Sequence, residues 1–126
     1  MKEKLRNCTI CGKIVEVLTQ DQVPTICCGE EMEEIKANTI DASVEKHVPA
    51  YEVDEENNEI VVKIGEILHP SEAAHHIMWI ALVANNTTIK VSLNPGDVPE
   101  AKFNYIKGST IYAYCDLHGL WKKEVE

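Results

Sequence analysis

The sequence predicts an all-β protein: a small metal-stapled N-terminal module followed by an antiparallel β-sandwich of immunoglobulin type. Three observations carry that expectation. Past about Asn38 the chain breaks into short β-branched and aromatic runs punctuated by Asn, Gly, Pro and Asp. No convincing helical period of apolar residues is present. Four of the five cysteines crowd into the segment before Asn38. With 126 residues, 44% of them hydrophobic, the chain can bury one modest core and a satellite, but not two full-sized domains.

The N-terminal segment, from Cys8 to about Lys36, is turn-rich, with Gly12, Pro24 and Gly29 punctuating it. It is too short to fold on apolar burial alone, so a metal staple is expected. Glu30, Glu31, Glu33 and Glu34 form a solvated face, with Met32 and Ile35 packing inward between them. The strands expected next are Val48–Val53, Glu59–Ile64, Ile77–Ala84, Thr87–Leu93, Ala101–Ile106 and Thr110–Cys115. In Thr87–Leu93 the residues Ile89, Val91 and Leu93 alternate with polar neighbours, the pattern of a half-buried strand. Ile111, Ala113 and Cys115 share one face of another. The run from Ile77 to Val83 is apolar on both faces; its β-branched and aromatic content and the Asn85-Asn86 turn favour a central strand over a buried helix. Six short strands at this spacing in under ninety residues point to the sandwich.

The net charge of −9, from 21 acidic and 12 basic residues, argues against nucleic acid as a partner. An anionic substrate would need local positive charge from a metal or a placed lysine. No run approaches the roughly 20 apolar residues that span a bilayer, and the charged start lacks the apolar core of a signal peptide. A cytoplasmic protein is expected, in which thiols stay reduced and serve as metal ligands or catalysts.

Cys8-Thr9-Ile10-Cys11 is a CxxC, and Cys27-Cys28 adds a second pair after fifteen intervening residues. Four thiolates can converge on one tetrahedral zinc or iron ion. Gly12 and Gly29, each following a pair, can turn backbone N–H groups toward the sulfurs. The CxxC alone fits a structural zinc knuckle. The adjacent cysteines cannot copy the loop of a second CxxC, so a distorted tetrahedron is expected. The span Cys8 to Cys28 resembles desulforedoxin, which implies a mononuclear iron and an electron-transfer or relay role.

The histidines are His47, His69, His75, His76 and His118. His47-Val48-Pro49 and His69-Pro70 are chain-fixing turns, and Cys115-Asp116-Leu117-His118-Gly119 puts a thiolate and an imidazole three apart at a strand exit. Any one of them alone reads as a surface or packed residue. Together, four imidazoles and a thiolate leave one open position on a six-coordinate metal, which favours iron over tetrahedral zinc. His75 and His76 both remain candidates at this level. Trp79 and Trp121 read as packing residues.

These motifs, with Glu45-Lys46-His47-Val48-Pro49, His69-Pro70, His75, Trp79, Pro95-Gly96 and the Cys115–Gly119 loop, resemble desulfoferrodoxin, the two-iron class of superoxide reductase. The resemblance covers essentially the whole chain. It implies a desulforedoxin-like iron domain over residues 1–37 and an immunoglobulin-like catalytic domain over 38–126. It further implies one iron on Cys8, Cys11, Cys27 and Cys28, and a second on His47, His69, His75 and His118 with Cys115 as axial thiolate. Zinc or calcium can replace iron in preparations. His75 rather than His76 fits the family spacing from His69. The implied reaction is one-electron reduction of superoxide to hydrogen peroxide. Lys46 would attract the anion and order a proton-donating water, and Glu45 would close the sixth position in the oxidised state. An external donor such as rubredoxin would re-reduce the iron, and a homodimer is expected. The competing expectation is a zinc- or iron-stapled structural or electron-transfer protein without substrate chemistry.

Overall fold

A computed structural model of the chain describes residues 5–19, 23–38, 47–65 and 75–126. The chain divides into two compact units, Lys2–Lys36 and Ala37–Glu126. All elements bounded within the described residues are β-strands, and every pairing among them is antiparallel.

In the first unit β1 (Leu5–Asn7), β2 (Ile14–Glu16) and β5 (Glu33–Glu34) form a sheet in the order β2-β1-β5. Strands β3 (Ile26–Cys27) and β4 (Glu30–Glu31) form a separate hairpin. The strands are only two or three residues long. Among the described residues of this unit, the buried apolar side chains are Leu5, Cys8 and Met32. At roughly 1.5–3 kcal/mol per buried side chain, so small a core cannot offset the conformational entropy of the segment. Met32 packs inward as the sequence suggests, Ile35 is half-buried, and the four flanking glutamates are exposed.

The second unit contains β6 (Pro49–Asp54), β7 (Glu59–Ile64), β8 (Ile77–Ala84), β9 (Thr87–Ser92), β10 (Glu100–Asn104), β11 (Thr110–Cys115) and β12 (Gly119–Glu124). They form two sheets, β10-β7-β6 and β12-β11-β8-β9. The core lies between these sheets. Ile60, Val62 and Ile64 of β7 and Ala101 and Phe103 of β10 meet Ile77, Ile80 and Leu82 of β8 and Ile111, Ala113 and Cys115 of β11. Alternation supplies each inner face from one strand register. On β8 the residues Ile80 to Val83 are all buried, consistent with its central place between β11 and β9.

Two details depart from the sequence expectation. Ile89, on edge strand β9, is 39% exposed, because an edge strand packs against a neighbour on one side only. Strand β12 was not expected from the sequence: Leu120 and Trp121 are its only apolar side chains, followed by Lys122, Lys123 and Glu124. Asn38 covers its outer edge. The Asn38 N–H donates to Leu120 O at 2.9 Å, Lys122 N–H donates to Asn38 Oδ1 at 2.9 Å, and Asn38 Nδ2 donates to Lys122 O at 3.4 Å. With φ at +60°, Asn38 sits in a region asparagine tolerates better than most residues, and it satisfies backbone groups that a bare edge would expose.

The end of the sandwich that carries the site is shaped by a bulge. Tyr114 pairs with Trp79 but Cys115 pairs with Ile77, so Met78 is an extra residue on β8. Such bulges re-aim side chains next to functional sites.

Candidate metal centres

The first cluster brings together Cys8, Cys11, Cys27 and Cys28, whose sulfurs all lie within 4.8 Å of one another. Cys8 and Cys11 flank a tight loop closed by Gly12 N–H donating to Cys8 O and Cys8 N–H donating to Lys13 O, both at 2.9 Å. Gly12 therefore serves the loop and not a sulfur; it is Cys11 N–H that donates to Cys8 Sγ, at 3.5 Å. Backbone N–H groups of Cys11 and Ile10 hold the Cys8 thiol well below its ordinary range, at about 6. They stabilise the thiolate that a metal needs. Cys27, crowded first by Cys11 and Cys8, is pushed up to about 12.

The second pair occupies a hairpin turn. Cys28 and Gly29 are the two residues between β3 and β4, with φ of +54° and +79°. Positive φ at both central positions is the type I′ arrangement. In an extended chain adjacent side chains point to opposite faces, and the turn is what brings Cys27 and Cys28 toward one point.

The second cluster joins His47, His75, Cys115 and His118, again with donor atoms within 4.8 Å of one another. His47 has helical backbone just before β6, His75 lies two residues before β8, and Cys115 ends β11. His118 belongs to the three-residue loop between the paired residues Cys115 and Gly119. His118 Nδ1 lies 3.0 Å from His47 Nε2. The His118 ring is 4.8 Å from His47 at 88° and 5.0 Å from His75 at 79°. His47 and Cys115 are buried, while His75 and His118 are partly accessible, so the cluster has both a dry and a wet side. Burial pushes the Cys115 thiol up, against backbone N–H groups of His118 and Leu117 that pull it down. A nearby cation is what would keep so buried a thiolate ionised.

Of the other residues expected here, His69, Lys46 and Glu45 lie outside the described residues. His76 turns away from the cluster to Asp116. His76 N–H donates to Asp116 Oδ1 at 3.0 Å, Asp116 N–H donates to His76 O at 3.1 Å, and His76 Nδ1 lies 3.2 Å from Asp116 Oδ2. This clamp ties the Cys115–His118 loop to the segment bearing His75. Trp121, read from sequence as packing, stacks on His47 at 5.0 Å and 26°. Trp79 stacks on Tyr114 at 5.9 Å with Lys90 Nζ over its ring at 4.5 Å, apart from the cluster.

Both donor sets fit a metal. Thiolates about 2.3 Å from one tetrahedral ion stand about 3.8 Å apart; Cys11 and Cys27 sulfurs are 3.7 Å apart and those of Cys27 and Cys28 4.0 Å. Two nitrogens about 2.1 Å from one ion at right angles are separated by about 3.0 Å, the spacing of His47 Nε2 and His118 Nδ1. A proton shared between those rings would account for that pair alone, whereas one cation accounts for all four donors converging.

Comparison with known proteins agrees along the whole length. Residues 39–124 match the Desulfoferrodoxin family model, and residues 2–35 match the model of the desulfoferrodoxin N-terminal domain. The chain is 46% identical to a desulfoferrodoxin of Syntrophotalea carbinolica, over 98% of this chain and 99% of that one. It is 44% identical to a desulfoferrodoxin of Nitratidesulfovibrio vulgaris, over 96% of this chain and 95% of that one. Among solved structures it is similar to the superoxide reductase from Treponema pallidum, with a TM-score of 0.74 and 25% identity over 98% and 99% of the two chains.

Proposed function

The chain belongs to the desulfoferrodoxin family, and on that premise we propose that it is a superoxide reductase, converting superoxide to hydrogen peroxide at the His47, His75, His118 and Cys115 cluster. The observation that carries the reading is the convergence of three imidazoles and a buried thiol where the sandwich strands give way to loops. In this reading His69 supplies a fourth imidazole and Cys8, Cys11, Cys27 and Cys28 hold a second iron. Residues 1–37 form the desulforedoxin-like domain and residues 38–126 the catalytic one.

Iron in its ferrous state, when held by these ligands, supplies the single electron that superoxide needs, with two protons completing hydrogen peroxide. Neutral imidazoles leave the site's positive charge in place to attract the anion. Cys115, buried and negatively charged once deprotonated, would be the donor of electron density that favours release of the electron by a bound iron. Its N–H partners at Leu117 and His118 temper that donation. The partly accessible rings of His75 and His118 mark the side from which a small anion can enter.

Lys46, beside His47, would offset the acidic surface for the incoming anion and hold a proton-donating water; Glu45 would offer a carboxylate to the iron in its oxidised state. Lys46→Ala is expected to slow the second-order reaction with superoxide by about 10-fold at low ionic strength and to flatten its salt dependence. Stopped-flow or pulse kinetics across a salt series checks this, and an unchanged rate would remove the steering role.

Among the described residues no helix is long and apolar enough to cross a membrane. A cytoplasmic homodimer, re-reduced by a small redox protein such as rubredoxin, is the setting most in keeping with the reduced thiols. The four-cysteine iron would relay electrons or only stabilise its module.

A further inference from the structure

We infer that Trp121 is a positioning residue for the metal cluster, holding two of its ligands at once through two different parts of one side chain. The inference rests on the metal-binding reading of the His47, His75, Cys115 and His118 cluster. Trp121 is 2% exposed and lies on β12 directly opposite Ala113. Alanine there leaves the room a tryptophan ring requires on that face of the sheet. The ring face stacks on His47, with centroids 5.0 Å apart and planes 26° from parallel. The Nε1–H donates to His118 O at 3.1 Å. His47 and His118 in turn meet edge to face, with their nitrogens 3.0 Å apart.

Each contact fixes a different freedom. Stacking fixes the plane of the His47 ring and therefore the direction of its Nε2 lone pair. The hydrogen bond fixes the carbonyl end of the three-residue loop that displays His118. A buried tryptophan N–H needs an acceptor, so the ring cannot rotate away without losing it. His47 and His118 come from segments separated by 71 residues, and Trp121, which is not itself a metal-ligand candidate, touches both. Side chains that orient metal ligands without binding the metal typically change affinity by about 10–100-fold when replaced.

The test compares iron-loaded full-length chains carrying Trp121→Phe, Trp121→Leu and, as a control, Phe103→Leu, a buried aromatic of β10 in the sandwich core. Trp121→Phe keeps a ring on His47 but loses the donor; Trp121→Leu loses both. Iron release to a chelator from the histidine–cysteine site, and the visible and electron paramagnetic resonance signature of its ferric state, are read beside the melting temperature. Release is expected to accelerate ~10-fold in Trp121→Phe and up to ~100-fold in Trp121→Leu, with an altered ferric signature in both. Phe103→Leu is expected to lower the melting temperature while leaving release and signature unchanged. The inference is overturned if both Trp121 variants match the unsubstituted chain, or if Phe103→Leu reproduces their release and spectra. If the unsubstituted chain itself holds no metal at this cluster, the functional reading fails instead.

Discussion

Replacing Cys115 with serine is expected to abolish the visible thiolate-to-iron band and to slow superoxide reduction by at least ~100-fold. Cys115 is fully buried at the end of β11, and its Sγ is the sulfur of the histidine–cysteine cluster. A serine hydroxyl is nearly the same size but stays protonated near neutral pH, so it brings neither the negative charge nor the polarisable donor. The imidazoles would keep some iron in place, and the variant should therefore bind metal more weakly rather than not at all. Burying a hydroxyl where a thiol packed at the end of the apolar core beside Ile77 also costs roughly 1–3 kcal/mol of sandwich stability. Absorption and pulse kinetics on the metal-loaded variant read the two effects separately. A persistent band, or a rate within ~3-fold of the unsubstituted chain, would mean that Cys115 does not ligate the iron.

The second large effect concerns the N-terminal module. Cys28→Asn should improve the hairpin turn and yet unfold the module that contains it. Cys28 has φ of +54° in a type I′ turn, where asparagine is the more comfortable residue, by up to about 1–2 kcal/mol. A structural tetrahedral ion contributes apparent binding energy of roughly 10–16 kcal/mol, and losing one of its thiolates forfeits much of that. The metal term wins. Expected results are one iron per chain instead of two, rapid proteolysis within Lys2–Lys36, and an unchanged melting transition for Ala37–Glu126. A protected module still carrying its iron would show that the short strands and the turn suffice without the fourth thiolate. The same variant tests the relay: steady-state turnover equal to that of the unsubstituted chain would leave the four-cysteine site a purely structural role.

Much of this was legible in the sequence because the informative patterns are local. Glu59–Ile64, Ile77–Ala84 and Thr110–Cys115 stand out by alternation or a run of apolar residues bounded by turns, and the fold has strands at those bounds. Other strands shift by one or two residues at an end, where Asp54 and Glu100 join the ladder through backbone pairing that side-chain character does not record. Strand β12 escaped because its second half is the polar run Lys122, Lys123 and Glu124 and its edge is satisfied by distant Asn38. The CxxC, the Cys27-Cys28 pair and the C-x-x-H of Cys115 and His118 announce themselves by spacing alone. Trp121 and Asp116 do not. Trp121 reaches His47 only because the β11–β12 register sets it opposite Ala113, and Asp116 meets His76 only because Met78 bulges out of β8. The C-x-x-H-G-x-W pattern does contain a hint, since a buried tryptophan three residues after a ligand in an otherwise polar strand asks for a partner.

The central claim, that this chain reduces superoxide, is tested most directly by mixing the fully reduced protein with pulsed superoxide. Iron oxidation, hydrogen peroxide and oxygen are then measured together. Reduction requires one peroxide formed and one ferrous ion oxidised per superoxide consumed, with no oxygen released. Oxygen evolution with half as much peroxide would indicate dismutation, and an unreactive ferrous centre would leave a protein that carries metal without substrate chemistry; either result would contradict the account.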